Sequence, residues 1–212
     1  MSAALETLNA LPPGEAEARF LSCCGSSEWA RRMAASRPFR SVESLAAAAD
    51  RTWQELSKDD WLEAFAAHPA IGSENVAGTG PTDLHPQQSK NVAGTGPPGL
   101  APAADQVAGT GFNLHPPPNS DRSRAWSRQE QSGTRGTDPE TLEKLSRLNR
   151  EYARRFGRVF LVCATGRSAD EMLALGRKRL ENDQETELAI AAEEQRKITR
   201  LRLEKLLSPT ER

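Results

Sequence analysis

The chain has 212 residues, with 28 Lys+Arg against 29 Asp+Glu, a formal net charge of -1 and 37% hydrophobic residues. That length suits one domain, at most two. The charge balance lacks the basic excess of a general nucleic-acid binder, and no run approaches the roughly 18 apolar residues of a membrane span. Mean hydropathy is -0.64, so part of the chain contributes little to a core. The N-terminus, MSAALETLNALPPGEAE, lacks the basic and apolar regions of a secretory signal. Three cysteines, with Cys23 and Cys24 adjacent, make no disulfide framework and suggest a reducing compartment. No Cys/His spacing suits a metal site.

In chain order, helices are predicted over 15–23, 26–35, 41–56 and 59–67. Ala16, Phe20 and Leu21 share a face of the first. Trp29 and Met33 stand four apart in the second. Leu45, Ala48, Ala49 and Trp53 form a stripe in the third. The fourth opens on aspartates, which suit a helix N-terminus, and turns Trp61, Leu62 and Phe65 inward.

From 75 to 120 the pattern is lost. This stretch holds about half of the 15 Gly and 14 Pro. It has neither helical nor strand periodicity, and its prolines forbid a continuous helix. It reads as a flexible insertion that cannot bury enough apolar surface to offset backbone ordering. It is also an internal repeat. NVAGTG begins at Asn75 and Asn91, and QVAGTG at Gln106. No copy carries the GK[ST] of a phosphate-binding loop or sits between a strand and a helix. A locally duplicated disordered loop is the expectation.

Beyond it, 121–132 suits a short polar helix. Asp138-Pro139 is a cap followed by Pro at the first helical position. The helix it opens carries Leu142, Leu145, Leu148, Tyr152 and Phe156 at three- and four-residue spacing, and Gly157 stops it. The run 159–164 (VFLVCA) is the one strand-like segment. A capping box at Ser168 and Glu171 opens the next helix. A final helix covers 184–207, with Leu188, Ala191, Ile198, Leu201 and Leu203 on its apolar side. The expected fold is all-α, a single-domain multi-helix bundle from 1–74 and 121–212, holding one buried extended segment and interrupted by the Gly/Pro-rich insertion.

Four features can carry chemistry. His68 ends an apolar helix, and Pro69 biases it away from helical geometry, so its ring can leave the helix wall. The bland alternative is a terminal His on the helix dipole. His85 and His115 also precede Pro, but both lie in the insertion, where no rigid element fixes them. Ser127, Glu130 and Gln131 share one helical turn and can face a polar ligand together, or Ser127 and Glu130 can form another capping box. The apolar segment Phe160, Leu161, Val162, Cys163 and Ala164 has backbone groups that no helix satisfies. A planar amide-rich ligand, side chains or water can meet them. Cys163 itself reads as a small core residue. Of Arg196, Arg200 and Arg202, one that turns inward can hold a carboxylate bidentately.

In order, DWLEAFAAHPAIG, SRQEQSG, LNREYARRFGRVFLVCATGRS and ETELAIAAEEQRKITRLRLEKLL resemble the ureidoimidazoline decarboxylases of urate breakdown. CCGSSEWARRMAASRP resembles the decarboxylase domain of the plant allantoin synthases. The resemblance covers almost all of the chain outside 75–120. It implies a helical homodimer that uses no cofactor and no metal. The implied substrate is the small molecule 2-oxo-4-hydroxy-4-carboxy-5-ureidoimidazoline, and the product is (S)-allantoin. It implies that His68 and Glu130 are catalytic, His68 as the proton donor with Pro69 beside it, and that Ser127, Glu130 and Gln131 contact substrate. It assigns Phe160 to Ala164 backbone contacts, and Arg202 an anionic oxygen.

The chain departs from that family in three ways. About fifty residues separate HPAIG from SRQEQ, where the family has a short connection, so the insertion divides the two halves of the site. Loop closure grows slowly with length, at about 0.6 kcal/mol per doubling, so folding tolerates the insertion. No transthyretin-like hydrolase domain is present in these residues, which leaves room for a separate hydroxyisourate hydrolase as partner. The ending SPTER is not an SKL-type signal, which leaves peroxisome or cytoplasm as the expected compartment. The competing expectation is a catalytically impaired helical interaction module whose site the insertion blocks.

Overall fold

Serine caps open most helices of the first half. The computed structural model describes residues 2–72 and 120–208, all within one compact unit. The first half contains α1 (Ala3–Ala10), α2 (Pro13–Cys24), α3 (Ser27–Ala35), α4 (Val42–Gln54) and α5 (Lys58–Ala66). Ser2, Ser26, Ser41 and Ser57 each accept a hydrogen bond from a first-turn N–H, satisfying a donor that the helix leaves free. Helix α1 lies outside the sequence expectations. Its two buried leucines, Leu5 and Leu8, give too short a periodic signal to detect.

The second half contains α6 (Ser120–Glu130), a 3-10 turn (Ser132–Thr134), α7 (Pro139–Phe156), α8 (Ala169–Arg179) and α9 (Gln184–Leu207). Asp138, Gly157, Ser168 and Asp183 bound these helices with the cap chemistry that their side chains or φ values allow. Among the described residues there is no strand. The repeat expected over 75–120 lies outside the described residues, except Ser120, the first residue of α6. No described helix is long and apolar enough to cross a membrane.

Helix α9 packs against α2, α4 and α5, while α7 pairs with α8. This makes two apolar clusters. One joins the first-half helices to Ala191, Ile198 and Leu203 of α9. The other joins α7 and α8 to Ile71. The extended segment runs along the seam. Phe160, Val162 and Ala164 enter the second cluster, while Leu161 and the partly buried Cys163 pack on the first. Alternation of side chains along an extended chain explains why every position of this run is apolar: both of its faces are buried.

Tryptophans cross-link the first cluster. Trp29 Nε1 donates to Ala49 O at 3.1 Å, and Trp53 Nε1 to Ala192 O at 3.0 Å. Trp61 stacks on Trp53, but Leu62, expected to face inward, is 37% exposed. The inward face of α5 is instead formed by Ala64 and Phe65, with Trp61 at its edge.

Gly25 ends α2 with φ 88, and a Cβ there would stand 2.7 Å from Ala67 Cβ. Only glycine permits both the left-handed turn and the close approach of α5. Gly25→Ala is expected to lower the urea-unfolding free energy by about 2–4 kcal/mol, combining backbone strain with overpacking. An unchanged midpoint would refute this account of the α2–α5 contact.

Candidate active site

His68 lies just beyond α5, its backbone N–H donating to Phe65 O at 3.1 Å. The residue is only half-buried, yet its Nε2 is fully enclosed and has no hydrogen-bond partner. Burial pushes the ring pKa from 6.5 down to about 3, with the Arg202 charge adding to the fall and Gln195 opposing it. The imidazole is therefore neutral at neutral pH.

Ser127 and Glu130 lie inside α6, and neither serves as a cap. Both turn toward Arg202 of α9, which is 1% exposed. Arg202 Nε donates to Glu130 Oε1 at 3.0 Å, and Nη2 donates to Oε2 at 2.8 Å and to Ser127 Oγ at 3.0 Å. Lys205 Nζ adds a bond to Glu130 Oε1 at 3.2 Å. The fork matches a carboxylate better than an ammonium would. Arg202 is the inward-turning arginine, whereas Arg196 and Arg200 pair with Asp50 and tie α9 to α4. The anionic oxygens that Arg202 meets in this structure belong to Glu130, so it stands behind the site and not on its wall.

Gln131 Oε1 accepts the N–H of Gly72 at 3.0 Å, and Asn149 Nδ2 donates to Ile71 O at 2.9 Å. These bonds hold the turn after His68 against α6 and α7. The two halves of the site thus meet although the sequence separates them by about fifty residues.

The extended segment is fixed from both sides. Arg179 Nη1 donates to Leu161 O at 2.7 Å, and Glu194 Oε2 accepts the Cys163 N–H at 2.7 Å. Arg179 is itself held by buried Glu187, which also receives the Tyr152 hydroxyl. Side chains therefore satisfy part of this backbone. Among the described residues, the N–H and C=O of Val162 and the N–H of Ala164 make no hydrogen bond. Burial, followed by the charge of Glu194, pushes the Cys163 thiol pKa up, and with it the reactive thiolate becomes scarcer.

His68, Pro69, Ser127, Glu130, Gln131 and Phe160, Leu161, Val162, Cys163 and Ala164 line one cavity, with Ile71, Thr165, Ile198 and Leu201 completing it. All the site residues expected from sequence are there except Arg202, which reaches it through Glu130 and Ser127. Among the described residues no group of three or more His, Cys, Asp and Glu is placed to hold a metal.

Sequence reasoning missed Gln195, which is fully buried. A signal existed. Glu187, Ala191, Gln195, Ile198 and Arg202 recur every three or four residues, so polar groups occupy the buried stripe of α9. A polar residue at such a position needs a partner and marks a site of structural or chemical interest.

A helical protein that gathers an imidazole, a held carboxylate and free backbone amides into one cavity has the parts of an acid–base site for a small polar molecule. The profile of the OHCU decarboxylase family matches residues 9–106 and 110–204. The chain is 34% identical over 186 residues to the uric acid degradation bifunctional protein TTL of Arabidopsis thaliana, covering 88% of this chain and 45% of that protein. It is 27% identical over 178 residues to a 2-oxo-4-hydroxy-4-carboxy-5-ureidoimidazoline decarboxylase of Haloferax volcanii, covering 84% of this chain and 80% of that protein. It superposes on the crystal structure of an OHCU decarboxylase in the presence of (S)-allantoin with TM-score 0.62 and 31% identity, covering 90% of this chain and 97% of that one. The chain belongs to the OHCU decarboxylase family. It spans just under half the length of the bifunctional plant relative.

Proposed function

We propose that this chain decarboxylates 2-oxo-4-hydroxy-4-carboxy-5-ureidoimidazoline to (S)-allantoin and CO2, without a cofactor and with His68 as proton donor. One observation carries the reading: the half-buried His68 imidazole shares a cavity with Ser127, Glu130, Gln131 and backbone N–H groups of the extended segment that are unpaired among the described residues.

The substrate carboxylate meets a neutral imidazole in a poorly solvated site. Opposite charges stabilise each other there, so substrate binding draws a proton onto His68. The bond from ring carbon to carboxylate then breaks. CO2 leaves, and the electron pair stays on the ring carbon, spread into the adjoining carbonyl and nitrogen. Donors aimed at that charge lower the barrier. The His68 proton passes to the carbon from one face, which sets the hand of the product. The imidazole ends neutral and takes its next proton from water. Glu130, held by Arg202, orients the substrate hydroxyl or a ring N–H, while Ser127 and Gln131 hold the ureido amides.

The reading also takes a homodimer, with a hydroxyisourate hydrolase as the source of substrate, in the peroxisome or the cytoplasm. The test generates the ureidoimidazoline in situ from urate and follows (S)-allantoin by circular dichroism. Formation of the single enantiomer faster than spontaneous decay is expected. A rate equal to spontaneous decay would sink the proposal.

A further inference from the structure

We infer that Gln195 is the positioning residue of His68: its side-chain carbonyl receives the Nε2–H of the imidazole and leaves Nδ1 to exchange the proton with substrate. The inference deepens the reading of His68 as proton donor and rests on it.

The orientation of the Gln195 amide follows from its partners. Its Nε2 lies 3.1 Å from Cys24 O, a backbone carbonyl that can only accept. The atom facing that carbonyl must be the NH2 group. The same group lies 3.2 Å from Thr199 Oγ1. The opposite end, Oε1, is therefore an acceptor. It is buried and unpartnered, and so is Nε2 of His68. An unmet buried donor or acceptor costs about 1–3 kcal/mol, and these two cancel each other's deficit when the ring presents Nε2–H to the amide. Interaction with the Gln195 side chain already opposes the fall in the His68 pKa.

Among the described residues, few charged or titratable groups lie around the ring. Arg202 of α9 disfavours its protonation, while Glu130 of α6 and Cys163 of the extended segment share its cavity. None of these hydrogen-bonds the enclosed ring nitrogen. The Gln195 Oε1, equally enclosed and unpartnered, is an acceptor that adds no charge. It selects one tautomer, keeps the ring plane fixed, and leaves the resting imidazole neutral. A fixed tautomer is how the partner of a histidine ring decides which nitrogen reacts.

The test labels histidine with 15N in the full chain, which has three His, and assigns the His68 signal with His68→Asn. The resting protein is expected to show the Nε2–H tautomer. Gln195→Leu is expected to move it to a tautomer mixture and to lower kcat about 10- to 100-fold with KM changed less than about threefold. Gln195→Glu restores the acceptor. It is expected to recover the tautomer and to raise the pH at which His68 titrates. An Nδ1–H tautomer in the resting protein overturns the inference. So does a folded Gln195→Leu protein with unchanged tautomer and kcat. Should Gln195→Leu not fold, the resting tautomer and Gln195→Glu decide. The tautomer is read without substrate, so a lack of decarboxylase activity would remove the functional reading while leaving the tautomer result standing.

Discussion

His68→Asn is expected to lower kcat by about 10²- to 10⁴-fold, the usual worth of a positioned general acid. Asparagine keeps a polar side chain of similar reach but cannot deliver a proton. Residual turnover should lose its preference for (S)-allantoin, because water protonates the ring carbon from either face. Circular dichroism reads rate and enantiomer together, and full activity in the variant would exclude His68 as donor.

The same substitution is expected to change acid stability in the opposite sense. Folding pushes the His68 pKa from 6.5 down to about 3. Between those values the unfolded chain holds a proton that the folded ring refuses. Unfolding is then favoured as pH falls through that window, by at most about 1.4 kcal/mol per pH unit. Above pH 6.5 the ring is neutral in both states and this contribution to stability is fully present. Urea unfolding from pH 7 to pH 4 should therefore show His68→Asn losing stability less steeply than the parent. Parallel pH profiles would mean that the ring titrates normally.

Arg202→Met is expected to cost about 3–5 kcal/mol of folding stability, since it strands a buried carboxylate. Among the described residues, Glu130, 8% exposed, would keep only the Lys205 bond at 3.2 Å. Ser127 would lose its Arg202 partner as well. The double variant Arg202→Met/Glu130→Leu removes both charges and should recover most of that loss, because a desolvated ion pair contributes little net stability. Activity should stay low in both variants, as the first misplaces the Glu130 carboxylate and the second removes it. Urea midpoints and the turnover assay separate the two effects. A stable Arg202→Met protein would show that Glu130 is not held by this pair.

The helices were legible because their signals are local. Asp138-Pro139 and Gly157 bound α7 by backbone rules that act within one turn, and the Ser168–Glu171 box opened α8 in the same way. Helix α1 escaped because eight residues carry only one buried pair. Leu62 was misjudged because a short helix shows an apolar residue without showing which neighbour covers it. His68, Ser127, Glu130 and Gln131 were legible as a spaced set. Whether Ser127 and Glu130 cap a helix or build a site was not, because both outcomes use the same three-residue spacing.

By itself the sequence determined a helical chain, its caps, its one extended apolar run and the residue types for acid–base chemistry. Those depend on neighbours a few positions away. Only the tertiary structure decided that Arg202 grips Glu130 across 71 intervening positions, that Arg179 and Glu194 pin the extended run, and that Gln195 is fully buried. A buried polar group is specified by its partner, and here the partners come from distant parts of the chain. They meet because the two apolar clusters close on either side of 160–164, with Ile198 and Leu201 of α9 on the cavity wall and the polar stripe of α9 buried behind it.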